Sequence, residues 1–325
     1  MEFLPNFKLH RPESVEEAVA LAGGEAGARY LAGGSDLLVN VRRGIEDPAA
    51  LIDLGAVASL QAIDESDGGL SIGAGVSLQA LARDSRVAED YPAVAEAARA
   101  VAGPTHQVYG TVGGNLCLDT RCIFYNQSEW WRASNDYCLK HRGEICHVAP
   151  GGKRCFAAFS GDLAPALLVH GAEVEIAGPE GTRRQPLAEL YRADGMDHLT
   201  LGPAELLTTV HLAKANGGAR SAYAKARVRG SIDFPLAGAA VRLGTANGAV
   251  TDLAVALTAA GPAPTLVEGT DALIGRAPDE ETLETLRELV RRQARPMQTT
   301  TTSPWYRRRV VAALAVKLAR QLAAG

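Results

Sequence analysis

Five cysteines, Cys117, Cys122, Cys138, Cys146 and Cys155, fall within a single segment of this 325-residue chain. A glycine turn, Thr111-Val112-Gly113-Gly114-Asn115, stands directly before that segment, and another, Leu31-Ala32-Gly33-Gly34-Ser35-Asp36, lies far upstream. Glycine-rich turns expose consecutive backbone N–H groups, so two of them can hold both phosphates of a dinucleotide. Ser35 and Asp36 beside the first turn, and Thr111 and Asn115 around the second, add groups able to bond ribityl or phosphate oxygens. Two such turns suit a long ligand spanning two subdomains, as FAD would. A thiol cluster beside them points to a metal centre close to a redox cofactor. Neither turn reads G-x-G-x-x-G, and no acidic residue follows at the Rossmann distance, so a doubly wound dinucleotide fold is disfavoured. A lone Gly-Gly is ordinarily only a tight turn; the polar neighbours raise these two above that.

Thiols scattered as small apolar core residues would be spread along the chain, and these are not. An odd number leaves one unpaired under any disulfide scheme, and a reducing compartment disfavours such bonds altogether. Cys122, Cys138, Cys146 and Cys155 are separated by fifteen, seven and eight residues, without the C-x-x-C knuckle favoured by zinc modules. Four thiolates can bind zinc tetrahedrally or a 4Fe–4S cube, and spacing alone leaves both open. His141 and His147 keep the zinc alternative alive. Proximity to a flavin favours the cluster, because an electron carrier belongs there and a structural zinc could sit anywhere.

The elements that must position these residues can be read from pattern. Ser14-Val15-Glu16-Glu17 is a capping box opening a helix that Gly23-Gly24 ends. With short strands at 29–32 and 51–54 and a helical or extended 37–43, it forms a small α/β unit. A second unit starts near Gly69, with a strand at 70–75 and helices at 78–83 and 93–102, then the second glycine turn and the cysteine segment. A helix followed by a strand is expected over 163–176. Asn216-Gly217-Gly218 reads as a linker. Beyond it, strands 237–243 and 253–258 join around Asn247-Gly248, a strong hairpin signal, and helices follow at 280–292 and 305–323. The basic residues of that last helix, Arg307, Arg308, Arg309, Lys317 and Arg320, read as a solvated face in preference to a docking surface.

A net charge of −4 without long basic runs argues against nucleic-acid binding, and the apolar stretches are too broken to span a membrane. Met1-Glu2-Phe3-Leu4-Pro5 lacks the basic and apolar regions of an export signal, so a cytoplasmic chain is expected.

The chain resembles the FAD-binding medium subunit of the molybdenum hydroxylase family nearly end to end. The likeness rests on the two glycine turns, Ile52-Asp53-Leu54, Ile72-Gly73-Ala74-Gly75-Val76-Ser77, residues 161–168 beginning Gly161-Asp162, Glu205-Leu206-Leu207, and residues 225–234 beginning Lys225-Ala226-Arg227. It implies an α+β fold in which a two-subdomain FAD domain of the vanillyl-oxidase (PCMH) type covers residues 1–215, with subdomains of about 1–57 and 58–215. A CO-dehydrogenase-flavoprotein-like domain of a small antiparallel sheet plus helices would fill 216–325. By the same resemblance Tyr30, Leu31, Ala32, Gly33, Gly34, Ser35, Asp36 and Leu37, together with Val101, Gly110, Thr111, Gly113, Gly114 and Asn115, hold the cofactor. Asp162 would be the ribose-binding carboxylate, and Leu206 and Lys225 would flank the flavin ring. Without the resemblance, Lys225 reads equally well as a surface lysine. The first turn holds no His or Cys, so non-covalent FAD is expected.

The segment of about 117–157 is an insertion of roughly forty residues, too long for a simple connection and in need of its own core or a metal. It resembles that of a reductive branch of the family whose flavin subunit carries an extra 4Fe–4S cluster. The implied ligands are Cys122, Cys138, Cys146 and Cys155, with Cys117 a packed free thiol. The resemblance further implies a molybdenum-cofactor subunit and a 2Fe–2S subunit as partners in a dimer of heterotrimers, with ferredoxin as electron donor. Substrate chemistry would then lie outside this chain, which carries no catalytic residue of its own. The competing expectation is an oxidative medium subunit whose insertion is a zinc-ordered docking module.

Overall fold

The computed structural model describes residues 4–66, 68–215 and 217–324; Met1 to Phe3 and Asn216 of the expected linker lie outside them. Ser14 caps the helix Val15–Gly24, its hydroxyl accepting from the Glu17 amide at 3.1 Å, while the Glu17 carboxylate reaches back to the Glu13 amide. Around that helix lie β1 (Lys8–His10), β2 (Ala28–Leu31) and β3 (Ala50–Asp53), parallel and ordered β1-β3-β2. Ala18, Val19, Ile52 and Leu54 form this unit's core, and Leu206 of the next unit joins it.

The second unit is an antiparallel sheet of β4 (Ile63–Ser66), β5 (Gly69–Gly73), β6 (Glu173–Gly178), β7 (Gly181–Pro186) and β8 (Leu206–Leu212), ordered β4-β5-β8-β6-β7. Helices Leu78–Arg83, Pro92–Ala100 and Leu163–Leu168 pack with it. The third unit is an antiparallel sheet ordered β12-β11-β10-β9. It comprises β9 (Ala219–Ala226), β10 (Ala237–Ala246), β11 (Ala249–Thr258) and β12 (Thr265–Leu266). Asn247 and Gly248 both take left-handed backbone, as the tight turn between β10 and β11 requires. Helices Glu280–Gln293 and Pro304–Ala324 cover this sheet. The whole is mixed α and β with small antiparallel sheets. Among the described residues no helix is long and apolar enough to cross a membrane.

The second and third units share one core, in which Tyr223, Ala240 and Ala256 pack with Leu163, Leu167 and Val210. Polar contacts reinforce the join: the Ser221 hydroxyl accepts from the Ala93 amide at 3.2 Å and lies 3.0 Å from His170 Nε2. Tyr91 sits edge-on to the His170 ring, centroids 5.2 Å apart. Burial, with Arg242 nearby, pushes the His170 imidazole down to about 4. The unfolded chain therefore takes up a proton near the ordinary histidine value while the folded chain resists it, so stability falls as pH drops from about 6.5 toward 4. A displacement of that size is worth about 3 kcal/mol at most. Chemical denaturation of His170→Gln between pH 4 and 7 should show a flatter pH dependence than the parent; an identical slope would clear His170 of the effect.

The basic run of the last helix is not uniformly solvated. Arg307 is buried, its guanidinium donating to the carbonyls of Leu236, Met297 and Ala259 and to the Thr299 hydroxyl. One arginine therefore ties the segment between the last two helices to the sheet beneath, while Arg308 and Arg309 face outward.

Candidate functional site

β2 runs into the first glycine turn, and Asp36 stands at the start of the helix Leu37–Arg42. Gly33 lies so close to the backbone of Tyr109 and Gly110 that a Cβ there would overlap the Tyr109 carbonyl. The two glycine turns, some eighty residues apart in sequence, are thus packed against each other. Gly34 has φ +67°, a conformation glycine adopts without strain.

The second turn is pinned from below: the Val112 and Gly113 amides donate to the carbonyls of Val76 and Ala74, and the Leu78 amide donates to Gly110. Thr111 caps the short helix Val112–Leu116 by accepting from the Gly114 amide at 3.1 Å. Asn115 Oδ1 accepts from the Leu163 amide at 3.0 Å, joining this turn to Gly161-Asp162. Val101 ends the helix Pro92–Ala100, and its carbonyl accepts from Gln107 at 2.8 Å. Ser35 and Gly114 remain exposed.

Apolar groups border the joined turns without cover: Val108, Tyr109, Ile232 and Phe234 are all exposed, Tyr109 to 66 %. Ala102 and Ile232 both have positive φ, and the Ile232 amide donates to the Ala102 carbonyl. A β-branched residue in that region is a strained position, held by its surroundings. Backbone turns, uncovered apolar side chains and local strain together fit an extended cofactor with a flat ring.

Asp162 is fully enclosed. Its Oδ1 accepts from the Tyr223 hydroxyl at 2.5 Å and its Oδ2 from Lys225 Nζ at 3.0 Å. Burial pushes the carboxyl up and the ammonium down, and each restrains the other's shift. Tyr223 and Lys225 are two apart on β9 and share one of its faces. Lys225 is thus a buried, paired lysine and not a surface one, and Tyr223 is a further member of the group that the sequence reading passed over. Leu206 and Tyr30 lie at the seam between the first two units, where the Tyr30 hydroxyl donates to the Ala204 carbonyl at 2.9 Å.

Cys122, Cys138, Cys146 and Cys155 are each buried and line one small cavity, together with Tyr125, Lys140 and His147. Cys138 comes from a tight loop: Asp136, Tyr137 and Arg142 have left-handed backbone, and the amides of His141 and Gly143 both donate to the Cys138 carbonyl. The Ala157 amide donates to the Cys155 sulfur at 3.4 Å. Lys140 is nearly enclosed, 4.6 Å above the Tyr125 ring and bonded to Asp119 and the Thr120 hydroxyl. Burial pushes the Cys122 thiol up to about 11 and that of Cys155 up to about 12.

Among the described residues, no three His, Cys, Asp or Glu side chains stand in the arrangement of a metal-ion site. His141 does not line the cavity, and His147 Nε2 is engaged by the Tyr137 carbonyl at 2.5 Å. Cys117 stands apart from the other four, packed against the main core, its thiol pushed up to about 12 by burial.

Arg121, next to Cys122, joins the two sites: it pairs with Asp36 of the first turn and its guanidinium lies 4.6 Å over the Phe234 ring. A basic residue between a small helix and a cysteine was visible in the sequence, but not its reach to Asp36.

The fold is that of a two-domain FAD-binding protein. Residues 5–214 match the model for the FAD binding domain in molybdopterin dehydrogenase, and residues 221–322 match that for the CO dehydrogenase flavoprotein C-terminal domain. The chain belongs to this family of FAD-binding subunits of molybdenum hydroxylases, and it is an oxidoreductase subunit. It is 35 % identical to the aldehyde oxidoreductase FAD-binding subunit PaoB of Escherichia coli (strain K12), covering 71 % of this chain and 75 % of that one. It is 29 % identical to the carbon monoxide dehydrogenase medium chain of Afipia carboxidovorans, over 86 % and 83 % respectively. Among solved structures, the reconstituted CO dehydrogenase from Oligotropha carboxidovorans superposes with a TM-score of 0.81 at 25 % identity, covering 98 % of this chain and 99 % of that one.

Proposed function

We propose that this chain is the FAD- and 4Fe–4S-carrying electron-transfer subunit of a reductive molybdenum enzyme of the 4-hydroxybenzoyl-CoA reductase type. It would work beside a molybdenum-cofactor subunit and a 2Fe–2S subunit in a dimer of heterotrimers, with reduced ferredoxin as donor. The partner subunit would remove the phenolic hydroxyl reductively, giving benzoyl-CoA and water. The observation that carries this reading is the set of four buried cysteines lining one cavity in an insertion beside the cofactor turns.

When bound, the flavin and the cluster supply electron storage and transfer. The chain's own residues bind and orient. The turns at Tyr30 to Leu37 and Gly110 to Asn115 hold the pyrophosphate and ribityl chain. Tyr223 and Lys225 fix Asp162, the carboxylate that the family resemblance assigns to the ribose. Lys140 and the Ala157 amide offset the negative charge of the ligated thiolates.

A second reading has a specific support: the relatives are an aldehyde oxidoreductase subunit and a carbon monoxide dehydrogenase chain. In that reading the chain serves an oxidative hydroxylase and the insertion is ordered by zinc, with His147 at the cavity wall. Metal and acid-labile sulfide analysis of the purified protein separates the two. About four iron and four sulfide per chain is the expected result for a cube; one zinc and no sulfide would replace the first reading by the second.

A further inference from the structure

From Leu289 to the C-terminus the chain contains seven arginines and one lysine and no acidic residue, although the protein as a whole carries a net charge of −4. Part of that charge gathers in an open groove between the last two helices, lined by Glu288, Arg291, Arg292, Arg295, Met297 and Arg308. The helix Glu280–Gln293 places Glu288, Arg291 and Arg292 on one face, and Arg295 continues that face just beyond its end. Glu288, the one acidic residue lining the groove, is paired with Arg291 at 2.7 Å. Arg308 holds the two walls together by donating to the Ala294 carbonyl at 3.1 Å.

Beside the groove, at the start of the helix Pro304–Ala324, Trp305 is 64 % exposed, with the Arg309 guanidinium 4.4 Å over its ring, and Tyr306 is exposed as well. Arginine, tryptophan, tyrosine and methionine are the residues enriched at protein interfaces. A face that only needed to stay solvated would not keep a bare tryptophan among its charges.

The groove also leads somewhere. Met297 lines it, and two residues on, the Thr299 carbonyl accepts from the Ile123 amide at 2.9 Å. Ile123 directly follows Cys122, and Arg307 anchors Met297 and Thr299 together from beneath. The groove wall is thus one hydrogen bond from the peptide that carries a cysteine of the cavity.

We propose that this groove docks an acidic electron-carrier protein of the ferredoxin type, and so places it beside the cysteine cavity. The inference rests on the donor named in the proposed function and adds where that donor binds. Opposite charge gives the approach its speed, and the exposed Trp305 and Tyr306 supply apolar contact once the carrier has arrived.

The test is the double variant Arg292→Glu/Arg295→Glu, prepared as the assembled complex. Both side chains are exposed, so folding should survive. Its KM for a reduced, acidic two-cluster ferredoxin should rise at least tenfold at low ionic strength. Its kcat, iron and flavin content, and reduction by photoreduced deazaflavin, a small neutral donor, should stay as in the parent. Added salt should slow the parent's reaction with ferredoxin steeply and the variant's little. An unchanged KM in the variant, with a parent that ferredoxin does reduce, would overturn the docking site and leave the donor standing. Loss of a partner subunit from the variant complex would also overturn it, by making the groove a subunit interface. A parent that ferredoxin cannot reduce would remove the donor itself, and the docking site with it.

Discussion

Gly33→Val is expected to give a protein without flavin. The added side chain would overlap the Tyr109 carbonyl carbon and oxygen, and backbone, unlike the end of a flexible side chain, cannot swing aside. Overpacking of this kind costs about 3 kcal/mol or more when the neighbour is fixed, and here it would push apart the two turns proposed to hold the cofactor. Flavin released from the purified variant by acid should be undetectable, against about one FAD per parent chain if each chain has one site. Gly34→Val should also fail, since Gly34 has φ +67° and its Cβ would lie 2.8 Å from Leu38 Cδ1. Gly24→Ala is the control: open space surrounds it, and its effect should lie within about 0.5 kcal/mol. A flavin-replete Gly33→Val protein would mean that the two turns need not touch for the cofactor to bind.

Much of this arrangement is written in the sequence in a form that local rules can decode. The hairpin at Asn247-Gly248 and the Ser14 cap each depend on a few adjacent residues, and each is present as read. Strands β1, β4 and β7 escape such rules. β1 is three residues long, and the Gly181–Pro186 strand is polar and largely exposed, so no apolar alternation marks it. Arg307 sits in a triplet of arginines whose members look alike, and only the fold decides that one turns inward. The site follows the same division. The turns and the cysteines are legible as chemistry, whereas the closure of Gly33 on Tyr109 and the enclosure of Asp162 by Tyr223 and Lys225 are long-range facts. Tyr223 and Lys225 share a strand face, a signal that strand assignment over 219–226 would have released.

Replacing cysteines one at a time should divide them four to one. Cys138→Ser, and likewise substitution of Cys122, Cys146 or Cys155, should strip the protein of iron and sulfide or leave a three-iron remnant visible by EPR. Each of these thiols lines the shared cavity, and a cube needs four ligands. Cys117→Ser should keep about four iron per chain, because Cys117 packs against the main core instead. Flavin should stay bound throughout, since Ala74 and Val76 pin the second glycine turn independently of the four cysteines. Iron lost from Cys117→Ser and retained in Cys122→Ser would move the cluster against the second glycine turn.

The contact of Gly33 with Tyr109 and Gly110 also bears on how the protein survives in a cell. The first turn belongs to the parallel three-stranded unit and the second to the five-stranded one, so a cofactor held as proposed, across both, would act as a fastener across a seam in the chain. A ligand that binds only the closed arrangement strengthens it by about 2.7 kcal/mol when present at a hundredfold excess over its dissociation constant. Newly made chains lacking flavin have that seam held by packing, the Tyr30–Ala204 hydrogen bond and the Arg121–Asp36 pair alone. Proteases reach such openings in proportion to how often they occur. Flavin supply would then bear on the lifetime of the subunit as well as on its colour.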